Sequence, residues 1–265
     1  MSASGPKRTG GIRIKERLKQ RIRMTTYHNT IPQASQLQAL SIDELNAIFT
    51  PLTFQERIEK LYEYFAEEDV LLTSSFGTKS VFLLHWFSSI RPTQVVHFLD
   101  TTYHFKETIS YKKQLTDRFD LDVIDIFPDI EQNMLTREEQ WWVEHRRMCC
   151  SINKVAPLEP IKAQHKIWVS GLMSYQTEFR SNLNVFQQQG DIIKFHPIVD
   201  IDEGEFIYYM DLFNLPRHPL EQEGFGSIGC THCTAKGSGR DGRWKGSNQK
   251  ECGLHPSYFI KKEDK

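Results

Sequence analysis

The apolar positions of this chain fall into two rhythms. Near the start of the patterned region they recur three and four apart: Leu45 and Ile48, then Ile58, Leu61, Tyr62 and Phe65. Each group follows a hydroxyl residue with Glu three positions on, Ser41-Ile42-Asp43-Glu44 and Thr53-Phe54-Gln55-Glu56. Side chain and backbone can then satisfy one another's donors at a helix N-terminus, so two amphipathic helices are predicted. Short apolar runs rich in β-branched residues come next: Val70 to Thr73, Val95 to Leu99, Asp122 to Ile126, Lys166 to Ser170 and Ile192 to Phe195. These predict strands. Helical stretches from Val81 to Trp86, from about His104 through Leu115, and from Glu203 to Phe213 lie between or after them. The last has Phe206, Tyr209, Met210 and Phe213 on one face, which reads as packing. Buried strands separated by helices need crossover connections, so the expected fold class is α/β, a parallel twisted sheet flanked by helices.

In such sheets a ligand binds beyond the carboxyl ends of the strands. The first predicted strand ends in Ser74-Ser75-Phe76-Gly77-Thr78-Lys79-Ser80 and the second in Leu99-Asp100-Thr101-Thr102. Exposed amides followed by a helix N-terminus favour an anion. The spacing differs from GxxxxGK[ST], so this is another kind of nucleotide loop. Any strand-to-helix turn uses small residues, and a purely structural turn is the competing reading. The shared location of the two loops favours a nucleotide site, with Ser74, Ser75, Phe76, Gly77, Ser80, Leu99 and Asp100 as candidate contacts.

Composition narrows the classes. With 265 residues, 39% of them hydrophobic, the chain can bury one sizeable core plus an appendage. A formal net charge of -1 gives no general attraction to polyanions, so no nucleic-acid partner is expected. The absence of a long apolar run predicts no membrane span and a cytoplasmic protein. The first two dozen residues hold Lys7, Arg8, Arg13, Lys15, Arg17, Lys19, Arg21 and Arg23 against Glu16 alone, ahead of Met24. A solvated arm, a transit peptide and an upstream extension compete as explanations, and we read 1–40 as a leader outside the fold. From Pro216 the periodicity stops, and Arg240, Arg243 and Lys245 punctuate glycines. The expected division is therefore a leader, an α/β domain over 41–215, and a cysteine-bearing loop with a flexible cationic tail over 216–265 that can close over an anionic ligand.

Candidate chemistry lies in the five cysteines. Cys149-Cys150 and Cys230-Thr231-His232-Cys233 form two tight pairs about 80 residues apart. In a reducing compartment clustered cysteines more often bind metal or do redox chemistry than form disulfides. Four thiolates suit zinc or an iron–sulfur cluster, and adjacent cysteines chelate one tetrahedral ion awkwardly, which favours the cluster. Unligated buried thiols are the alternative. Lys154, four residues after Cys150, could set a cation beside an anionic cluster or lie on a solvated helix face. Cys252 stands apart, in a Gly-rich, charged stretch with Lys250 and His255 nearby. Positive neighbours lower a thiol's pKa, so an exposed, mobile Cys252 is a nucleophile candidate, with an incidental surface thiol as its alternative.

Taken together, the SSFGTKS loop, FLDTTYHFKET, CCxxxKVxPL, SIGCTHCT, GRW and the terminal KECGLH resemble the sulfonucleotide reductases. Within them the chain is similar to the iron–sulfur adenylyl-sulfate (APS) reductases of assimilatory sulfate reduction, from about Thr53 to His255. The resemblance implies an adenine nucleotide alpha hydrolase-like fold and a [4Fe-4S] cluster on Cys149, Cys150, Cys230 and Cys233, with Lys154 near it. It implies that Cys252 attacks the sulfate sulfur of APS, and that thioredoxin or a similar dithiol frees sulfite from the resulting S-sulfocysteine. Lys154, Arg180, Arg240 and Arg243, with His255, are the implied substrate contacts. The implied role of the cluster is electrostatic. Two features depart from the family pattern. Gly171-Leu172-Met173-Ser174-Tyr175-Gln176 stands where GLRRxQ is usual, and Leu99-Asp100-Thr101-Thr102 replaces LDTG in a loop expected to face the nucleotide. Competing readings are a reductase of 3′-phospho-APS (PAPS), an ATP-dependent adenylating enzyme, and a non-catalytic iron–sulfur or zinc module acting as a redox sensor. A homo-oligomer is compatible with this sequence, which does not fix the number of subunits.

Overall fold

Both capping boxes form as the sequence predicts. In a computed structural model, which describes residues 40–245 and 251–254, helix α1 (Ile42–Phe49) and helix α2 (Phe54–Tyr64) each begin with the hydroxyl accepting from the Glu amide and the Glu carboxylate accepting from the cap amide. The expected leader over 1–40, apart from Leu40, and Lys250 and His255 lie outside the described residues. The two helices bury Leu45, Phe49, Ile58 and Leu61. Arg57 is buried with them, its guanidinium donating to the Phe49, Thr50 and Pro197 carbonyls and to both oxygens of Asp200.

Six strands form one sheet in the order β3-β2-β1-β4-β6-β5. They are β1 (Val70–Ser74), β2 (Val96–Leu99), β3 (Val123–Ile126), β4 (Ile167–Val169), β5 (Phe186–Gln189) and β6 (Ile192–Phe195). All neighbours are parallel except β5 and β6, an antiparallel hairpin turned at Gly190, whose φ of 59° suits glycine. The sequence reading missed β5. Phe-Gln-Gln-Gln has no apolar alternation, and an edge strand needs little. The crossovers use α3 (Ser80–Ile90), α4 (Lys106–Phe119), α5 (Ile130–Glu138), and α6 (Arg146–Cys150) running through a π turn at Ser151–Val155 into α7 (Ala156–Lys162). Two further helices, α8 (Glu178–Ser181) and α9 (Glu203–Leu212), complete the set used below.

Alternation along the strands sorts the core into two layers. Val70 and Leu72 of β1, Val96 and Phe98 of β2 and Val169 of β4 face the main layer, with Phe82, Phe87, Phe206 and Met210. Leu71, Trp168 and Ile192 face the other side, covered by Leu158 of α7 and by Leu254 from the tail. Both faces being covered explains why these strands read as continuous apolar runs. The region after Pro216 has little regular structure but is packed. The Thr231 amide donates to the Tyr103 carbonyl at 2.8 Å, Trp244 N to Cys233 O at 3.0 Å, and Thr78 Oγ1 to Gly226 O at 3.2 Å. A Cβ on Gly242 would collide with the Ala235 carbonyl, so only glycine permits that close approach. Among the described residues no helix is long and apolar enough to cross a membrane.

Candidate active site

A cavity of about 240 Å³ opens at the carboxyl ends of β1, β2 and β4. Its floor is the loop that follows β1. Ser74 Oγ accepts from the Phe76 amide at 3.1 Å, and Ser80 Oγ accepts from the Gly77 amide at 3.0 Å, so two serines hold the turn that starts α3. Phe76 adopts φ 46° and buries its ring edge-on to Phe98, 5.5 Å between centroids. Of the residues named as nucleotide contacts, Ser74, Ser75, Gly77, Ser80, Leu99, Lys154, Arg180, Arg240 and Arg243 line the cavity, together with Cys252. Phe76 and Asp100 do not. Phe76 anchors the loop in the core, and Asp100 Oδ1 accepts from the Thr102 amide at 2.8 Å. His255 lies outside the described residues.

The two departures from the family pattern resolve differently from expectation. Thr102 sits at φ 64°, where a β-branched residue is strained and glycine is not. Its hydroxyl points to α5, donating to Asn133 Oδ1 at 3.1 Å and accepting from Arg137 at 2.9 Å, so the side chain leaves the nucleotide wall. Met173 is fully buried in the core, while Gln176 lines the cavity and accepts from Arg180. The sequence reading also passed over His104, Trp168 and Trp244, all on the cavity wall. His104 donates from Nε2 to the Leu99 carbonyl at 2.9 Å, and burial holds its pKa below the ordinary value. His104 and Trp244 lie within the FLDTTYHFKET and GRW motifs and Trp168 lies on a predicted strand, but none of the three was named as a contact.

The four paired cysteines line a second, much smaller cavity of about 10 Å³, walled also by Tyr103, Asn153, Lys154 and His232. The π turn places this group: Asn153 Nδ2 donates to the Cys149 carbonyl at 2.9 Å and to Thr136 Oγ1 at 3.0 Å, pinning the Cys-Cys segment to α5. The Trp142 ring stacks on His232 at 3.8 Å and shields the group. Burial, then the charges of Cys150 and Cys230, push Cys149 up to about 12, and burial pushes Cys150 up to about 11 against the pull of Lys154. Burial works the same way on Cys230, but Lys154 and the Thr101 hydroxyl, 3.4 Å from its Sγ, outweigh it and hold that thiol below its ordinary value. Each thiolate thus opposes the next, and four together need a positive centre, as thiolate ligands of a metal site have. The donor set fits a thiolate-bound centre. Among the described residues no three Cys, His, Asp or Glu side chains are spaced to hold a single metal ion.

Cys252 is half-buried between the two cavities, packed against the cysteine group and lining the larger cavity. The sequence predicts a mobile, exposed thiol flanked by Lys250 and His255; the described tail, Glu251 to Leu254, is instead seated in the site. Cys252 interacts electrostatically with Lys154, Lys194 and Arg240, contributed by the α/β body and the loop after the paired cysteines. Glu251, 4% exposed, accepts from Arg180 Nε at 2.9 Å and Nη2 at 2.8 Å and from Arg240 Nη2 at 3.1 Å. Two of the four cations expected to meet the substrate therefore already hold a carboxylate. Lys154 and Arg243 differ. Burial would lower Lys154, yet Cys230, Cys150 and Cys252 hold it above its ordinary value, and Arg243 donates to the Ile228 carbonyl at 3.0 Å while its guanidinium lies 4.4 Å over Trp244.

A family model described as the phosphoadenosine phosphosulfate reductase domain matches residues 69–236, which hold both cysteine pairs, the loop after β1 and Lys154. The chain is similar to an adenosine 5′-phosphosulfate reductase of Bacillus mycoides, 35% identical over 198 residues, covering 71% of this chain and 85% of the relative. It is similar to a reductase of the same name from Bacillus cytotoxicus, 36% identical over 212 residues, covering 75% and 88%. The phosphoadenylyl-sulfate (PAPS) reductase of Candida auris, solved as a phosphate complex, shares the fold with a TM-score of 0.65 at 22% identity, over 74% of this chain and 98% of that one. With more than half its length matched and relatives above 30% identity covered over 85% and 88% of their length, this chain belongs to the phosphoadenosine phosphosulfate reductase domain family.

Proposed function

We propose that this protein is an adenylyl-sulfate reductase in which Cys252 attacks the sulfate sulfur of APS, giving AMP and an enzyme S-sulfocysteine from which a dithiol such as thioredoxin releases sulfite. The observation that carries this reading is the seat of Cys252 on the wall of the cavity floored by the Ser74–Ser80 loop, beside Lys154. The curated relatives named above are APS reductases, which favours APS over its 3′-phosphorylated form.

In this scheme the loop after β1 and the Leu99 strand end seat the nucleotide, and Lys154 and Arg243 face its sulfate–phosphate anhydride. The Cys252 thiolate forms the new S–S bond to the sulfate sulfur as the S–O bond breaks, and the electron pair leaves on the phosphate of AMP. Two fixed cations aimed at a departing phosphate lower the barrier because their orientation needs no rearrangement. A thiolate of the dithiol then attacks Cys252 Sγ, sulfite leaves with the bonding pair, and the second thiol displaces Cys252 as the disulfide closes. Cys149, Cys150, Cys230 and Cys233 would hold a [4Fe-4S] cluster, which when bound would supply a charged centre beside Lys154. Tyr103 and Trp142 limit solvent access to that site.

The test is to incubate anaerobically prepared protein with APS and no reductant, then to look by mass spectrometry for a sulfonate adduct on the peptide containing Cys252. The adduct is expected in the wild type and absent in Cys252→Ser, which should keep its absorption spectrum. Sulfite production by Cys252→Ser, or an adduct elsewhere, would overturn the proposal. A higher kcat/KM for PAPS than for APS would reassign the substrate.

A further inference from the structure

Lys194 is not among the cations the sequence brings forward, yet it is one of the most deeply buried charged side chains among the described residues, at 2% exposed. It lies on β6, next to β4 in the sheet, paired with Trp168. Its Nζ donates to the Leu254 carbonyl at 2.9 Å and stands 4.2 Å over the Trp168 ring. Trp168 is fixed in turn, its indole N–H donating to Thr73 Oγ1 at 2.8 Å on the wall of the nucleotide cavity. Two residues before Leu254 is Cys252, and one further back is Glu251, inside the grip of Arg180 and Arg240. The described tail is thus held by a buried ionisable side chain on each side of the thiol. On one side it is a tail carboxylate on two arginines; on the other it is a tail carbonyl on a lysine amine.

We infer that Lys194 and Glu251 form a two-point mount that positions Cys252 for attack, which makes them positioning residues for the reaction proposed above. The inference rests on that reading for the identity of the reaction, but not for the seating of the thiol. The physical case is that a reacting sulfur on an irregular tail must be held near its target, and an error of about 1 Å can cost on the order of 100-fold in rate. Four short residues have no core of their own to supply that precision. Buried polar groups hydrogen-bonded to β6, α8 and the loop that carries Arg240 can supply it, because each becomes costly if its partner swings away. Around Lys194 the charged groups are Cys252 and Glu251 from the tail, Lys162 from α7 and Arg180 from α8, with the neutral His196 just past the end of β6. Lys162 and Arg180 repel it, so the tail supplies the favourable side of the balance.

The two ends of the mount predict different kinetics. Lys194 does not line the nucleotide cavity, so Lys194→Met should leave AMP affinity near wild type and slow Cys252 adduct formation at saturating APS by about 10- to 100-fold. Glu251→Gln should slow it similarly while tightening nucleotide binding, because Arg180 and Arg240 line the cavity and lose their carboxylate. Alkylation of Cys252 by iodoacetamide without nucleotide, followed on its own peptide, should be faster in both variants than in wild type. That measurement stays valid if APS proves not to be the substrate, in which case wild-type protein forms no adduct although the alkylation contrast persists. Lys194→Gln, which keeps a donor in place of the amine, should fall between Met and wild type and serves if the Met variant does not fold. Unchanged alkylation together with adduct rates within about threefold of wild type in both variants would overturn the mount, as would equal losses in binding and rate.

Discussion

Replacing Arg57 by Met tests how the first two helices are fastened to the sheet that carries the site. The guanidinium is 1% exposed and makes five hydrogen bonds, three to backbone carbonyls and two to Asp200. Methionine fills much of the same volume but leaves Phe49 O, Pro197 O and Thr50 O without this donor and Asp200 without its bidentate partner. Breaking one side of a buried, hydrogen-bonded charge pair costs about 3–5 kcal/mol, whereas an exposed pair would cost under about 1 kcal/mol. Asp200 is 59% exposed in its side chain, so water recovers part of the loss there; Phe49 O keeps the Leu52 amide at 3.1 Å, and the lost bonds to Thr50 O and Pro197 O set the lower bound. For a domain of this size the loss corresponds to a melting shift of roughly 6–20 °C. The assay is far-UV circular dichroism melting of wild type, Arg57→Met and Arg57→Lys. Lysine keeps the charge without the fork and should recover less than half the loss. The pH dependence supplies a second readout. Burial alone would raise Asp200, but the hydrogen bonds and charge of Arg57 hold it below the usual carboxylate range. A carboxylate depressed in the folded state stabilises above its unfolded pKa of about 4, and that contribution is lost as pH falls through the folded value. The gap between wild type and Arg57→Met should therefore narrow in acid below about pH 4. A shift under about 2 °C at neutral pH would refute the reasoning.

Three further outcomes follow from the site. Arg243→Met should lower kcat/KM for APS by about 100- to 1,000-fold in a sulfite-release assay, the usual cost of removing one preorganised charge donor at a reacting centre. Gly229→Ala should do so more mildly, by about 10- to 100-fold, with melting unchanged, because its Cβ would displace only the far end of the Arg243 side chain. Burial, together with Lys162 and Arg180, pushes Lys194 down to about 7 from an ordinary 10.5. The unfolded chain binds that proton between these values and the folded one does not, so the lysine's contribution to stability rises with pH across the window. The melting temperature of wild type minus that of Lys194→Met should then increase from pH 7 to pH 10.5, and a flat difference would contradict the buried-amine account.

The sequence reading succeeded where the signal was local. Ser41 with Glu44 and Thr53 with Glu56 each need only one helical turn to be recognised, and both helices start there. The strands Val70–Ser74, Val96–Leu99 and Ile167–Val169 are apolar on both faces because both faces are covered, a property readable along the chain. Predicted ends were less accurate. The helix expected over His104 to Leu115 runs Lys106–Phe119, since the tertiary contacts that stop a helix are not encoded at its last residue. The β5 edge strand, the π turn after Cys150 and the left-handed Phe76 and Thr102 gave no periodic signal.

What the sequence determined by itself was the first two helices and five of the six strands, the loop at the end of the first strand, and the residue types available for chemistry: two cysteine pairs, a lone thiol and a set of cations. Those are matters of spacing within a few residues. Only the tertiary structure decided which cations are already spoken for. Arg180 and Arg240 were expected at the substrate and are held by Glu251, while Lys194, hidden in an apolar strand, turned out to lie under the tail. The reason is that a charge acts over a few ångströms in space, and partners such as Arg180 and Glu251, separated by 71 positions, become neighbours only once the sheet and its covering segments have packed.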